Sequence, residues 1–192
     1  MGGEALHEAF RVVARTDFLR TEDVERAGLD APIAIGAGQT NSQPRTVFAM
    51  LELLDVQPGL RVLDVGSGSG WTTALLAHLV GPMGVVIGTE LEPELVAFGR
   101  ENLAKYDLPR ASIRQAEPST LGAPEDAPFD RILVSAEASA LPEPLVDQLA
   151  VGGTMMLPVG ARMTRVEKHG PGRDAVSITT HGLYSFVPLR WG

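Results

Sequence analysis

An α/β architecture, a doubly wound and mostly parallel sheet of about seven strands with helices on both faces, is predicted by three observations. Short apolar runs alternate with helical patterns of ten or more residues from Arg61 onward, and a glycine-rich turn joins the first run to a helix. The chain then closes on strand-like segments with no long helix between them, which predicts an antiparallel edge.

The elements follow in order. Leu6, Phe10 and Val13 are spaced i, i+4, i+7, so an N-terminal helical extension is expected to pack on the body, leading into irregular chain up to Asp30. Val47, Met50, Leu51 and Leu54 repeat the helical period, and Pro44 suits a first turn because its missing N–H costs nothing there. The Gln39 to Gln43 loop therefore runs straight into a helix N-terminus. Arg61 to Val65 reads as a strand, Trp71 to Leu79 as a helix stopped by Gly81-Pro82, and Val85 to Glu90 as a second strand. Pro93 opens the next helix, on which Val96, Gly99 and Leu103 share a face. Further strands are predicted at 112–115, 131–135 and 154–158, with Val176 to Thr180 and Leu183 to Leu189 as the antiparallel pair. Gly170 to Asp174 reads as an exposed turn. With no repeat or linker, residues 1–192 are expected to form a single domain: 1–55 as N-terminal helices and ligand loop, 56–160 as core, and 161–192 as edge strands.

Composition narrows the function. At 192 residues and 44% apolar, the chain can build one substantial core. Its formal net charge of -8 argues against nucleic acid or an anionic membrane as partner, since both call for a basic patch. No stretch has the ~18 apolar residues of a membrane span, and Met1 to Leu6 carry no signal-peptide or myristoylation pattern. Without cysteine there is no disulfide or thiolate nucleophile, and His7, His78, His169 and His181 lack metal-ligand spacing, so no metal is expected. The expectation is a cytoplasmic monomer.

The glycine-rich turn carries the first chemical signal. A turn between a parallel strand and a helix offers backbone N–H groups to an anion, and absent side chains let the ligand come close. The third glycine of a dinucleotide fingerprint would fall at position 71, which is Trp71; Gly66, Gly68 and Gly70 instead form G-x-G-x-G. That spacing resembles the S-adenosyl-L-methionine-dependent methyltransferases of Rossmann-like fold. The resemblance implies that Gly66, Ser67, Gly68, Ser69 and Gly70 hold the amino acid end of the cofactor. Glu90 ends the second strand 24 residues after Gly66, where a carboxylate accepts from both ribose hydroxyls, with Leu91 beside it. Asp64 has two readings, a water-bridged contact to the cofactor or an ordering of the loop.

The second signal is Gly38-Gln39-Thr40-Asn41-Ser42-Gln43-Pro44. Together with Asp30-Ala31-Pro32-Ile33, Pro128 to Ile132, Gln148 to Gly153, Leu157 to Gly160 and Phe186-Val187-Pro188-Leu189, in that order, it resembles the protein-L-isoaspartate O-methyltransferases over about residues 6 to 190. The resemblance implies methyl transfer from S-adenosyl-L-methionine, leaving S-adenosyl-L-homocysteine, to the free carboxylate of L-isoaspartyl residues in damaged proteins or peptides. D-aspartyl residues are included in the implied range. The ester closes to a succinimide and reopens partly as aspartate. Ser42 matches the family's active-site hydroxyl; an N-cap role for the following helix stands beside that reading. Gln39 and Thr40 are expected at the cofactor, and Ile35, Thr40, Asn41, Ser42, Val187 and Pro188 at the substrate. A carboxylate of pKa roughly 3 to 4 is already ionised at neutral pH, so no general base is required.

Three positions depart from the family pattern. Asn41 replaces an apolar β-branched residue. Ala116-Glu117-Pro118 replaces a Gly-Asp-Gly near the adenine, so Glu117 keeps the acid while Pro118 lacks an N–H. Glu137 follows the fourth strand where small neutral residues are usual; it faces either the substrate site or solvent. These departures keep two alternatives open: a methyltransferase for an aspartate of one dedicated peptide, and a cofactor-binding domain without repair activity.

Overall fold

The computed structural model describes residues 2–191. Helix α1 (Gly2–Val12) leads into two short 3-10 turns (Arg15–Phe18 and Thr21–Arg26), then a hairpin of β1 (Ile33–Gly36) and β2 (Gln39–Asn41), and α2 (Pro44–Leu54). The alternating unit follows as β3 (Arg61–Val65), α3 (Trp71–Val80), β4 (Val85–Glu90), α4 (Pro93–Leu103), β5 (Ala111–Gln115), β6 (Phe129–Val134), α5 (Glu143–Gln148) and β7 (Leu149–Val159). Strands β8 (Arg162–Lys168) and β9 (Val176–Leu183) complete it.

Seven strands form one sheet in the order β5-β4-β3-β6-β7-β8-β9, with β3 to β7 parallel and β8 and β9 antiparallel. Because side chains alternate across a strand, the apolar runs supply both faces at once. Val62, Val86, Leu133 and Met156 pack with α1, α2 and α3, whereas Leu63, Ile87, Ile132 and Met155 pack with Phe129, Leu145 and Leu149 on the other side. The chain winds outward from β3 to β5 and then returns to place β6 on the far side of β3. That reversal opens a crevice at the carboxyl ends of β3, β4 and β6, the place where open α/β sheets bind ligands.

Two expectations change. The antiparallel partner of Val176–Leu183 is Arg162–Lys168, while the segment after Leu183 is irregular, with Pro188 bridging Glu137. Gly182, at φ 79°, turns the chain out of β9, and Pro188 has no N–H for a ladder. Arg162–Lys168 reads as polar in sequence because its alternation ends on Lys168, which is buried and donates from Nζ to Val146 O (2.7 Å) and Leu149 O (2.8 Å). The chain before Asp30 is also more ordered than expected.

Asp64 is fully buried at the middle of β3, with Oδ2 accepting from Thr72 Oγ1 and Thr73 Oγ1, each at 2.7 Å. Burial pushes its carboxyl from 3.8 up to about 6, against the two threonine hydroxyls that favour the ion; the Glu90 charge adds to the rise. The folded state thus holds this proton more tightly than the unfolded chain, so its contribution to stability is present below pH 4 and is lost as pH rises through about 6. Asp64→Asn removes that dependence. Denaturant midpoints should show the variant gaining about 2 kcal/mol on the wild type between pH 4 and pH 7; a difference constant with pH would show that Asp64 does not titrate there.

Candidate active site

The crevice is a cleft of about 780 Å³, walled by the glycine loop, the Gln39 to Gln43 segment, the ends of β4 and β5, and the C-terminal segment from Gly182 to Trp191. Its floor is set by hydrogen bonds that continue the sheet. Gly66 N and Ser67 N donate to Thr89 O at 2.8 and 3.1 Å, and Gly68 N donates to Glu90 Oε2 at 2.9 Å. Gly66, Gly68 and Gly70 have φ of 76°, 52° and 87°, a region that favours glycine. Gly70 has a second constraint, since a Cβ there would stand 3.0 Å from Gly99 O of α4. It therefore serves packing and lies outside the cleft lining, whereas Gly66, Ser67, Gly68 and Ser69 line it.

Glu90 is buried, and its other oxygen, Oε1, accepts from Glu92 N at 3.0 Å. Each carboxylate oxygen retains a further acceptor site, so Glu90 can hold the loop and still receive hydroxyl donors from a ligand. Two buried polar atoms of this strand and loop, Asp64 Oδ1 and Ser67 Oγ, have no partner among the described residues. Buried groups are rarely left so, and their place beneath and within the loop fits a bound molecule or water supplying the missing bonds. Asp64 itself is absent from the lining, which favours its ordering role through Thr72 and Thr73.

The opposite wall of the cleft is built on the β1–β2 hairpin, where Ala34 pairs with Thr40 and Ile33 with Asn41. Alternation sends Asn41 inward while Thr40 is exposed and Ser42 half-buried, and all three line the cleft. Ser42 does not cap α2. The cap position is Gln43, which makes no side-chain cap bond; Asp30 Oδ1 instead accepts from Arg45 N at 3.0 Å, and the Asp30 carboxyl is held below its ordinary range by that bond. The helix end is thus served from 15 residues upstream, and the Ser42 hydroxyl is left for the cleft.

Behind the loop lies a group that sequence reading missed. Arg15 is buried and donates from Nε to Asn41 Oδ1 (2.7 Å), from Nη1 to the carbonyls of Ala27 and Leu29, and from Nη2 to those of Ala31, Asn41 and Ser42. Desolvation lowers its pKa to about 10, so it stays a cation at neutral pH. No carboxylate lies within salt-bridge distance of it among the described residues, and a lone Arg in a polar stretch gives no signal of such a role.

The remaining expected positions separate. Gln39, Leu91, Glu117, Val187 and Pro188 line the cleft. Ile35 does not, being buried beneath the loop with Cδ1 3.2 Å from where a Cβ on Gly68 would stand. Pro118 also lies outside, so its missing N–H falls away from the ligand; Thr120, Leu121 and Gly122 occupy that end. Glu137 is likewise outside the lining, contrary to the reading that turned it toward substrate. Its backbone pairs with Val187 O and Leu189 N, and the cleft-facing neighbours are Ser135 and Ala136. Tyr184, Phe186, Arg190 and Trp191 complete the C-terminal wall, and Arg190 forms an ion pair with Glu92 at the start of α4. Among the described residues no group of His, Asp or Glu is placed to hold a metal, and no helix is long and apolar enough to cross a membrane.

Comparison with known proteins agrees with this geometry. The family profile described as protein-L-isoaspartate(D-aspartate) O-methyltransferase matches residues 2–191. The chain is 45% identical over 186 residues to the protein-L-isoaspartate O-methyltransferase of Methanopyrus kandleri, covering 95% of this chain and 81% of that one. It is 42% identical over 191 residues to that of Thermococcus onnurineus, covering 97% and 85%. A solved Plasmodium falciparum structure, described as a protein-L-isoaspartate O-methyltransferase in complex with S-adenosyl-L-homocysteine, superposes with a TM-score of 0.87 at 27% identity, covering 100% of this chain and 93% of its own. With a family match over all the described residues and relatives above 40% identity across nearly its whole length, this protein belongs to the protein-L-isoaspartate (D-aspartate) O-methyltransferase family.

Proposed function

We propose that this protein transfers a methyl group from S-adenosyl-L-methionine to the free carboxylate of L-isoaspartyl residues in proteins or peptides, D-aspartyl residues included, and so starts their repair through a succinimide. The observation that carries this reading is the position of Ser42, freed from helix capping by Asp30 and set on the cleft wall beside the glycine loop. When bound, the cofactor supplies a sulfonium methyl whose C–S bond breaks as the new O–C bond forms, the electron pair staying on a neutral thioether.

The chain's own residues then have modest tasks. Gly66, Ser67, Gly68 and Ser69 present backbone and hydroxyl groups to the amino acid end, Glu90 accepts from the ribose, and Leu91 and Glu117 border the base. Gln39 and Thr40 line the wall between the two sites, and Ser42 donates its O–H to one carboxylate oxygen while the other attacks. No proton has to be removed, because the acceptor is already an anion. Val187 and Pro188 fix the C-terminal wall against Glu137 and limit access of water, and orientation in such a site can supply on the order of 7 kcal/mol. The rival reading, an aspartate in one dedicated peptide, drew on Asn41, Glu117-Pro118 and Glu137. Asn41 lines the cleft but its amide is taken up by Arg15 and Ser69, and Pro118 and Glu137 lie outside the cleft lining.

Two measurements test the assignment. An isoaspartyl peptide and its aspartyl twin, offered with radiolabelled cofactor, should give label in the isoaspartyl form; label confined to the aspartyl form would sink the repair reading. Ser42→Ala should lower turnover at least about tenfold, the ~1.4 kcal/mol of one hydrogen bond to a charged group, with cofactor affinity near normal. Unchanged turnover would remove Ser42 from the site.

A further inference from the structure

Asn41 sits between a buried cation and the cofactor loop, and the chemistry of its neighbours fixes which way its amide faces. Arg15 Nε is only a donor, so the Asn41 atom 2.7 Å from it is the carbonyl oxygen; the amide nitrogen is then the atom 3.1 Å from Ser69 Oγ. Ser69 must accept that bond. Its own O–H remains to be donated, and no acceptor for it is found among the described residues, although Ser69 is 3% exposed and lines the cleft. The rest of Ser69 is fixed as well, since its carbonyl accepts from Asn102 Nδ2 at 3.0 Å. Asn102 Oδ1 accepts from Lys105 Nζ, which also donates to Asp17 O, so the chain of bonds returns to the 3-10 turn that carries Arg15.

We infer that the Arg15–Asn41 pair aims the Ser69 hydroxyl into the cleft as a dedicated donor to the carboxylate at the amino acid end of the cofactor. Asn41 is thus a positioning residue that acts through Ser69. The guanidinium polarises the Asn41 amide, whose N–H takes a Ser69 lone pair, and the Ser69 proton is left for an anion. An apolar side chain at position 41 would free the hydroxyl to rotate and leave Arg15 Nε without its acceptor. The inference rests on the cofactor assignment above, and it concerns binding rather than turnover.

Calorimetry with two ligands tests it: S-adenosyl-L-homocysteine, which has the carboxylate, and 5′-methylthioadenosine, the same nucleoside thioether without the amino acid end. Asn41→Leu and Ser69→Ala should each weaken S-adenosyl-L-homocysteine about tenfold, one charge-assisted hydrogen bond, while leaving 5′-methylthioadenosine within about twofold. The double variant should bind no more weakly than Ser69→Ala alone. Asn41→Asp guards against misfolding, because it keeps an acceptor for Arg15 but cannot donate to Ser69; it too should weaken only the carboxylate ligand, and only when Ser69 is present. Equal loss for both ligands, no loss for either, or additive loss in the double variants would overturn the inference. If the wild type binds neither ligand, the cofactor assignment fails and takes this inference with it, whereas unselective variants on a binding wild type defeat the inference alone.

Discussion

The site depends on one carboxylate that works for the backbone before it works for a ligand. A glycine loop at the end of a parallel strand has N–H groups with no ladder partner and little side-chain packing to hold it. Here Glu90, arriving at the carboxyl end of the adjacent strand, accepts from Gly68 N and Glu92 N at once, while Thr89 O takes Gly66 N and Ser67 N. The β3–β4 register places Thr89 opposite Val65, so both contacts follow from strand pairing. The loop is therefore preorganised, and the energy of ligand binding need not be used to order it. Helix α4 completes the support: a Cβ on Gly99 would come within 2.9 Å of Gly68 O, so glycine is needed on the helix as well as in the loop.

The hairpin wall of the cleft is organised by the opposite sign of charge. Arg15 gathers five carbonyls and one amide oxygen from segments far apart in sequence, tying the 27–31 turn to the Asn41–Ser42 peptide. Six acceptors for one guanidinium compensate its desolvation through dipoles. A carboxylate partner would satisfy the cation equally well but would cancel its charge.

Legibility in sequence followed the range of the interactions. The parallel strands, the glycine loop and Glu90 were readable because each is set by local pattern and short spacing, and the sheet order then follows from short, right-handed connections. Strand β8 was hidden because Lys168 breaks its apolar alternation, and its burial is justified only by the carbonyls of Val146 and Leu149. For Ser42 the cap reading stood beside the site reading because the residue that serves the helix end, Asp30, lies across a hairpin. The bonding partners of Asn41 were not legible because they are 26 and 28 residues away in opposite directions. Spacing reports on backbone geometry, and what it leaves open in each case is where a polar side chain finds its partner in three dimensions.

That distinction bears on how an acidic protein can receive an anionic acceptor. The formal charge of -8 is spread over the surface, and at physiological ionic strength charges farther than about 8 Å are largely screened. Local charges decide instead. The surface cations at the cleft are matched, Arg45 by Asp30 and Arg190 by Glu92, and Glu90 and Glu117 line the same cleft. Arg15 makes no salt bridge among the described residues, it is held out of water, and it is bonded directly to the carbonyl of Ser42. An acceptor placed at Ser42, as proposed above, would feel its field through low-dielectric protein rather than through solvent. On the proposed function the cleft is thereby polarised, acidic on the side assigned to the sugar hydroxyls and positive on the side assigned to the carboxylate, which suits the transfer of a cationic methyl group to an anion.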